Sequence, residues 1–409
     1  MDELPIGRRV AYWRGRRRMS QQAFADRLGK SKSWVDKVER GVRRLDRYSV
    51  IDEIADVLKV DTQLLLGRDP NWLGREEARR ADRVEVAELQ AALERYDQVD
   101  AFLSPPPDPP QMTQLRQGVS HAWLTFQHAD GASLTRSLPL LLRLTQAAAV
   151  ADAAEASPEA AHLLSQVHQI ASSTLRNLGE YELARLAADR AVSAAQRAGD
   201  QLLVGTATLR VGLALLGLGR TRAAFEVQMS VADRLAPGDG EPAGAPRLSV
   251  HGALLLEAAV AAARLGHESS TRELLAAAEE VAGDVGGDEN HYWTCFGPTN
   301  VGLHAAAAAV ELGDGWSAIA VHDRLRGRAL STLVPERRVH HLLDTARACA
   351  QVGDPPRAME LLRECYRIAP AEVRCRPRAR DLVEEVLRGY RGESPPELCE
   401  IAAAVPSPP

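Results

Sequence analysis

Residues 20–41 read S-Q-Q-A-F-A-D-R-L-G-K-S-K-S-W-V-D-K-V-E-R-G, and their cap signals divide them in two. Ser20 stands before the first apolar-periodic run and Gly29 after it; Ser31 opens the second and Gly41 closes it. Hydroxyl caps at helix starts and glycines at helix ends predict two short helices joined by a tight turn. Ala23, Phe24, Ala25 and Leu28 on the first helix, with Val35 and Val38 on the second, give each one core stripe. Lys32, Ser33, Asp36 and Lys37 are left pointing outward.

Such a pair is a helix-turn-helix, and its second helix offers small polar and basic residues at its N-terminal end. That is the chemistry of a helix that enters a DNA major groove, where lysine donates to guanine O6 and N7 and serine pairs with several base edges. Charge distribution agrees. Residues 1–67 carry 15 Lys plus Arg against 10 Asp plus Glu, a net +5, so the remaining chain sums to −10 within the overall −5. All four lysines, Lys30, Lys32, Lys37 and Lys59, lie in that basic segment. A basic head on an acidic body directs phosphate contact to the head.

Upstream, I-G-R-R-V-A-Y-W-R-G-R-R-R (6–18) sets Ile6, Val10 and Trp13 at helical spacing, predicting a supporting helix. Arg14, Arg16, Arg17 and Arg18 there either approach phosphates or form a solvated helix end. Downstream, Val50, Ile51, Ile54, Ala55 and Leu58 are helix-periodic, and D-T-Q-L-L-L-G is a last short helix from Asp61 to Gly67, so five helices occupy 62 residues. In order and spacing these segments resemble a complete XRE-type, lambda-repressor-like DNA-binding domain. The resemblance implies double-stranded DNA as partner, with Gln21 on phosphate, Lys32, Ser33 and Lys37 on base edges, and Trp34 on the phosphate flank, where the family usually carries a small polar residue. Arg43, Arg44 and Arg47 are placed for backbone contact, whereas Glu39 and Arg40 suit an intradomain salt bridge and a helix-end partner.

The rest of the 409-residue chain is rich in alanine, leucine and arginine and only 4% aromatic, which predicts an all-α protein. Between residues 69 and 96, Val86, Leu89, Leu93 and Tyr96 form a narrow apolar seam, either a dimer contact or a connector lying on the C-terminal domain. S-P-P-P-D-P-P (104–110) is a stiff spacer and marks the domain boundary. Beyond it, N-L-G-E, G-L-G-R, R-L-G-H, E-L-G-D and Q-V-G-D repeat a turn glycine at 179, 219, 266, 313 and 353. Ala184, Ala224, Thr271, Ala318 and Ala358 follow five residues later, and Ala191, Val231, Ala278, Leu325 and Cys365 follow twelve later. Each unit is then a helix, a glycine turn and a second helix with small packing residues, an α-solenoid. The pattern resembles tetratricopeptide repeats, and the whole chain resembles bacterial regulators that join an XRE domain to such repeats, including peptide-pheromone sensors. The expected organisation is 1–68 DNA-binding domain, 69–110 linker helix and Pro-rich spacer, 111–392 helical repeats with capping helices at either end, and 393–409 tail.

In the repeat frame the positions 13, 10, 6 and 3 before each glycine face the concave side. They give Gln166, Gln169, Ser173 and Arg176 in the first repeat, leucines such as Leu213 in the second, Asn300 in the fourth, and His340 and Arg347 in the fifth. Polar ends around an apolar middle suit an extended peptide or an amphipathic small molecule. The aromatic-rich H-Y-W-T-C-F-G-P-T-N (291–300) enters a groove helix that Thr299 or Asn300 can cap. It supplies Trp293 and Phe296 either as an apolar wall with Asn300 pairing a ligand amide, or as a packed loop anchor; His304, one turn on, is expected only to pack. Candidate ligand residues are therefore Gln166, Gln169, Arg176, Leu213, Trp293, Asn300, His340 and Arg347.

No HExxH, GxSxG, P-loop or strand-led GxGxxG occurs, and the histidines show no metal spacing, so neither an enzyme nor a cofactor is expected. Five cysteines without a CxxC and no apolar run of membrane-spanning length fit a reduced, cytoplasmic, non-membrane setting. The expectation is a homodimeric DNA-binding transcriptional regulator whose repeats sense a peptide, small molecule or protein partner. The alternative is a repeat-based interaction scaffold tethered to DNA with no small ligand.

Overall fold

The computed structural model describes residues 6–17, 19–43, 45, 48–58, 60, 65, 86–94, 111–151, 157–238, 243–325, 330 and 333–389. The chain divides into two compact units, Met1–Val84 and Glu85–Pro409. Every regular element among the described residues is helical.

The first unit contains α1 (Ile6–Arg16), α2 (Gln21–Arg27), α3 (Lys32–Glu39) and α4 (Tyr48–Leu58). Ser20 Oγ accepts from the Ala23 N–H and Ser31 Oγ from the Trp34 N–H, each at 3.1 Å. Caps of this kind stabilise a helix by about 1 kcal/mol each, which matters for helices of seven and eight residues. Backbone bonds from Lys30 N to Ala25 O (3.0 Å) and Gly41 N to Val38 O (2.9 Å) close their C-termini. Val10, Phe24, Ala25, Val35, Ile51, Ile54, Ala55, Leu58 and Leu65 form the core. Ala23 is exposed, contrary to its expected place on the core stripe; so short a helix buries only the line through Phe24, Ala25 and Leu28. Of the fifth helix expected before Gly67, only Leu65 is described, fully buried in this core.

The second unit begins with α5 (86–94), whose Leu89, Ala92 and Leu93 are buried with the helices that follow. Gln146 Nε2 and Arg190 Nη1 donate to the backbone carbonyls of Ala92 and Leu93. The apolar seam is thus a connector lying on the repeats rather than a dimer contact. Tyr96 and the 104–110 spacer lie outside the described residues. A helix pair, α6 (Met112–Gln127) and α7 (Gly131–Ala151), precedes five further pairs: α8 (Pro158–Leu178) with α9 (Tyr181–Ala198), α10 (Gln201–Gly217) with α11 (Thr221–Leu235), α12 (Ala245–Arg264) with α13 (Glu268–Val285), α14 (Pro298–Glu311) with α15 (Gly315–Leu325), and α16 (Pro335–Gln351) with α17 (Pro355–Ile368).

The five expected turn glycines sit between the helices of these pairs with φ from +73° to +87°, a region where an L side chain is strained. All five small residues placed five positions later are buried; of those twelve later, Ala191, Ala278 and Cys365 are buried, and Val231 and Leu325 half-buried. The first helices of successive pairs pack on one another. Two short helices, α18 (Pro370–Cys375) and α19 (Pro377–Gly389), complete the unit. The array returns on itself: α18 touches α7 and α8, and α6 touches α16. Side chains fasten this closure, Asn177 Nδ2 donating to Glu372 Oε1 (2.8 Å), Arg376 Nη2 to Asn177 Oδ1 (2.7 Å), and the amides of Gln127 and Asn290 exchanging hydrogen bonds. No described helix is long and apolar enough to cross a membrane.

Candidate nucleic-acid interface and interior cavity

On α3 the side chains of Lys32, Ser33 and Lys37 are exposed and Asp36 is half-exposed, while Val35 and Val38 are buried beneath them. The helix therefore presents a basic and hydroxyl ridge at its capped N-terminal end, where the helix dipole also favours an anion. Trp34 is half-buried against the core, with the Arg43 guanidinium 5.9 Å from its ring centre. A ring so packed is a wedge beside the ridge, and exposed Arg43 keeps its charge at the same edge. Arg44 and Arg47 lie outside the described residues.

Gln21, at the first position of α2, is turned inward: its Nε2 donates to Glu39 Oε2 at 2.8 Å. Glu39 is only 5% exposed and also takes both Nε and Nη2 of Arg14. This is the intradomain salt bridge expected of Glu39, and Arg40 pairs with Asp36 one turn back. It also decides the role of Arg14, which is structural; Arg16 stacks on Tyr12 and Trp13, and Arg17 donates to the Leu58 carbonyl.

α1 reaches α3 at Gly7. A β-carbon there would stand 2.0 Å from the Val38 carbonyl oxygen, so only glycine permits the two helices to cross this closely. Together the caps, the Glu39 pairing and the Gly7 crossing fix how far α3 protrudes. Residues 5–66 match the family model described as a helix-turn-helix domain.

The chain carries a helix-turn-helix domain.

No curated protein and no solved structure matches the chain. The helix-turn-helix domain match ends at residue 66, so the repeat unit is read from its own geometry.

The inward side of the repeats lines a half-open cavity of about 180 Å³. Ten of the twenty inward positions of the repeat frame line it, among them Arg176, Leu213, Asn300, His340 and Arg347. Three candidates do not. Gln166 is committed to two indoles, its Oε1 accepting from Trp123 Nε1 (2.9 Å) and Trp293 Nε1 (3.2 Å). Trp293 stacks on Trp123 with ring centres 5.6 Å apart, and Gln169 is buried with its Nε2 on Ser165 Oγ. Phe296 is fully buried against Gly252, where a β-carbon would meet its ring at 2.0 Å. The 291–300 stretch is therefore a packed anchor, tied also by the Tyr292 hydroxyl on Asp200 Oδ2 (3.0 Å), with Asn300 alone of its expected ligand residues reaching the cavity. Neither Thr299 nor Asn300 caps α14; Asp288 does so from outside, accepting from the Thr299 N–H and hydroxyl.

The apolar middle expected of this face is present in Leu213, Leu216, Val260, Leu303 and Leu343, but charge surrounds it. Six arginines line the cavity, Arg176, Arg264, Arg337, Arg347, Arg376 and Arg378, against the carboxylates of Glu257, Glu311 and Asp344. Glu311 alone faces three guanidinium groups, those of Arg264 (3.2 Å), Arg347 (3.3 Å) and Arg378 (3.0 Å). Burial works against its ionisation, and these arginines hold its carboxyl below the ordinary range. Glu372 is likewise opposed by burial and held at about 2 by Arg376 and His340. His304 does more than pack. Its Nδ1 meets the Asn300 carbonyl at 2.9 Å and its Nε2 lies 3.5 Å from Glu257, whose carboxyl is held at about 2 against the burial that would raise it.

Five of these groups escaped the repeat reading because they occupy a neighbouring stripe. Glu257, His304 and Asp344 stand nine residues before their turn glycines, and Arg264 and Glu311 stand two before. A seven-residue offset on one helix spans two turns, so these positions share a face. Charged residues recurring there were the available signal.

Proposed function

We propose that this protein is a sequence-specific transcriptional regulator of the XRE, lambda-repressor-like kind, with tetratricopeptide-like repeats that take a small ligand. The observation that carries the DNA reading is the exposed Lys32, Ser33 and Lys37 ridge on a capped helix held out by the Gly7 crossing and the Glu39 pairing. A homodimer would present two such ridges to half-sites about 34 Å apart. Ligand capture in the repeats would then bias how the two heads are held, and affinity would follow. A cavity of about 180 Å³ supports one compact molecule over an extended peptide, since ligand pockets for larger molecules begin near 300 Å³. Neither catalysis nor a cofactor enters this reading.

The test is selection of genomic DNA fragments by the full-length protein, followed by affinity measurements on the fragments retained. Lys32→Ala and Lys37→Ala should each weaken binding by about 1–3 kcal/mol and relax preference at a particular base pair. If the wild-type protein retains no discrete fragments, the regulator reading fails.

A further inference from the structure

The charges around the cavity are not balanced among themselves. Glu311 is shared three ways, Arg376 is paired with Glu372, and Arg337 lies 3.5 Å from Glu336. Arg176 is left over. Its guanidinium lines the cavity, its Nε is shielded from solvent without a hydrogen-bond partner, and among the described residues no carboxylate stands within ion-pair distance of it. Burial, with the charge of Arg376 nearby, lowers its pKa to about 10, against the opposing pull of the Glu336, Glu257 and Glu372 carboxylates, none of which is close enough to pair with it. Buried charges in proteins are ordinarily paired, so a guanidinium that faces a cavity with no carboxylate at ion-pair distance offers an anion a partner.

A second group in the same cavity points the same way. Asn300 is 3% exposed and its side-chain amide makes no hydrogen bond, Oδ1 being fully shielded. An amide buried without a partner costs roughly 1–3 kcal/mol, and this one sits where a ligand's polar group would meet it. The lining of the same cavity also includes the aliphatic side chains of Leu213 and Val260.

We infer that the cavity binds a small organic anion, a carboxylate or phosphate that sits on Arg176, whose second polar group, a hydroxyl or amine, pairs with the Asn300 amide. The volume suits a molecule of only a few carbons: a cavity of about 150 Å³ takes a ligand the size of benzene. This inference rests on the reading of the cavity as a ligand site.

Thermal melting of the full-length protein tests it, with inorganic phosphate, succinate or malate added against sodium chloride at equal ionic strength. The expected result is a melting temperature raised by at least one of these anions beyond the salt control, because a ligand that binds only the folded state stabilises it. Malate, which differs from succinate by one hydroxyl, should bind about fivefold more tightly, the worth of one satisfied hydrogen bond. Arg176→Gln and Asn300→Asp should each reduce the anion-dependent shift at least tenfold in apparent affinity, with ligand-free melting unchanged or raised. No shift beyond the salt control with any of the three, full shifts in both variants, or a lowered ligand-free melting temperature in both, would overturn the inference. DNA affinity measured in parallel separates it from the regulatory reading. An anion that binds without altering DNA affinity leaves the site standing and removes its regulatory role. DNA affinity altered by an uncharged fraction of small metabolites, with no anion bound, does the reverse.

Discussion

Gln21 and Glu39 are joined by a 2.8 Å hydrogen bond that links the start of α2 to the end of α3. The amide that the family resemblance assigns to a DNA phosphate is thereby held by an internal carboxylate, which also neutralises Arg14. Gln21 is positioned before any DNA arrives, and the two helices are fixed as one rigid piece. Phosphate contact by this residue would use whichever amide hydrogen the carboxylate leaves free.

Removing Glu39 should accordingly unsettle the domain more than removing an exposed acid. Glu39→Ala leaves Arg14, mostly buried, without its counter-charge, and losing one member of a buried pair costs roughly 3–5 kcal/mol. Hydrogen exchange should show faster opening throughout residues 6–58, whereas Asp36→Ala, which breaks the exposed pair with Arg40, should change exchange there by less than about 1 kcal/mol.

Gly7 makes a separate prediction. Gly7→Ala places a methyl group against the Val38 carbonyl, and α1 and α3 must part to admit it. Overpacking of this kind costs about 1–3 kcal/mol, and because the displaced partner is α3, the helix proposed to read DNA, DNA affinity should fall alongside the melting temperature. Gly15→Ala in the same helix meets no atom within 4 Å and should raise stability slightly.

The repeat unit should lose stability in mild acid. His168 is 3% exposed, and burial, aided by the charge of Arg190, lowers its pKa from 6.5 to about 3. Its folded pKa lies below the unfolded one, so the unfolded chain takes up more protons between those values. The contribution of neutral His168 is present above pH 6.5 and is lost as pH falls toward 3, by at most about 1.4 kcal/mol per pH unit. His341, lowered to about 4 by burial and by its stacked neighbour His322, acts in the same direction. Between pH 6.5 and 5, above the range where carboxylates titrate, His168→Leu should flatten the fall in melting temperature relative to wild type.

Local signals made much of the fold legible. Ser20, Ser31, Gly29 and Gly41 mark helix ends through bonds to their own neighbours in sequence, and the five repeat glycines mark turns because of their backbone freedom. Such features need no knowledge of what lies across the molecule. Arg176, His340 and Arg347 were legible as inward positions of the repeat frame, but the way the interior charges meet was not, for the opposite reason. Arg264, Arg347 and Arg378 come from three different helices and meet at Glu311 only because the helix pairs stack. Trp293 shows the same limit: its aromatic character left a ligand wall and a packed anchor both open, and the stack on Trp123, 170 residues earlier in the chain, decides for the anchor.

The sequence by itself determined an all-helical chain, a basic head with a two-helix motif, and a body of helix pairs, since caps, period and composition act over a few residues. Tertiary structure alone decided that Gln21 is held by Glu39, that the 86–94 helix belongs to the body, and that charges from several helices meet around one half-open cavity. Each of these depends on contacts between residues distant in the chain, where burial gives an unpaired charge or amide its consequence.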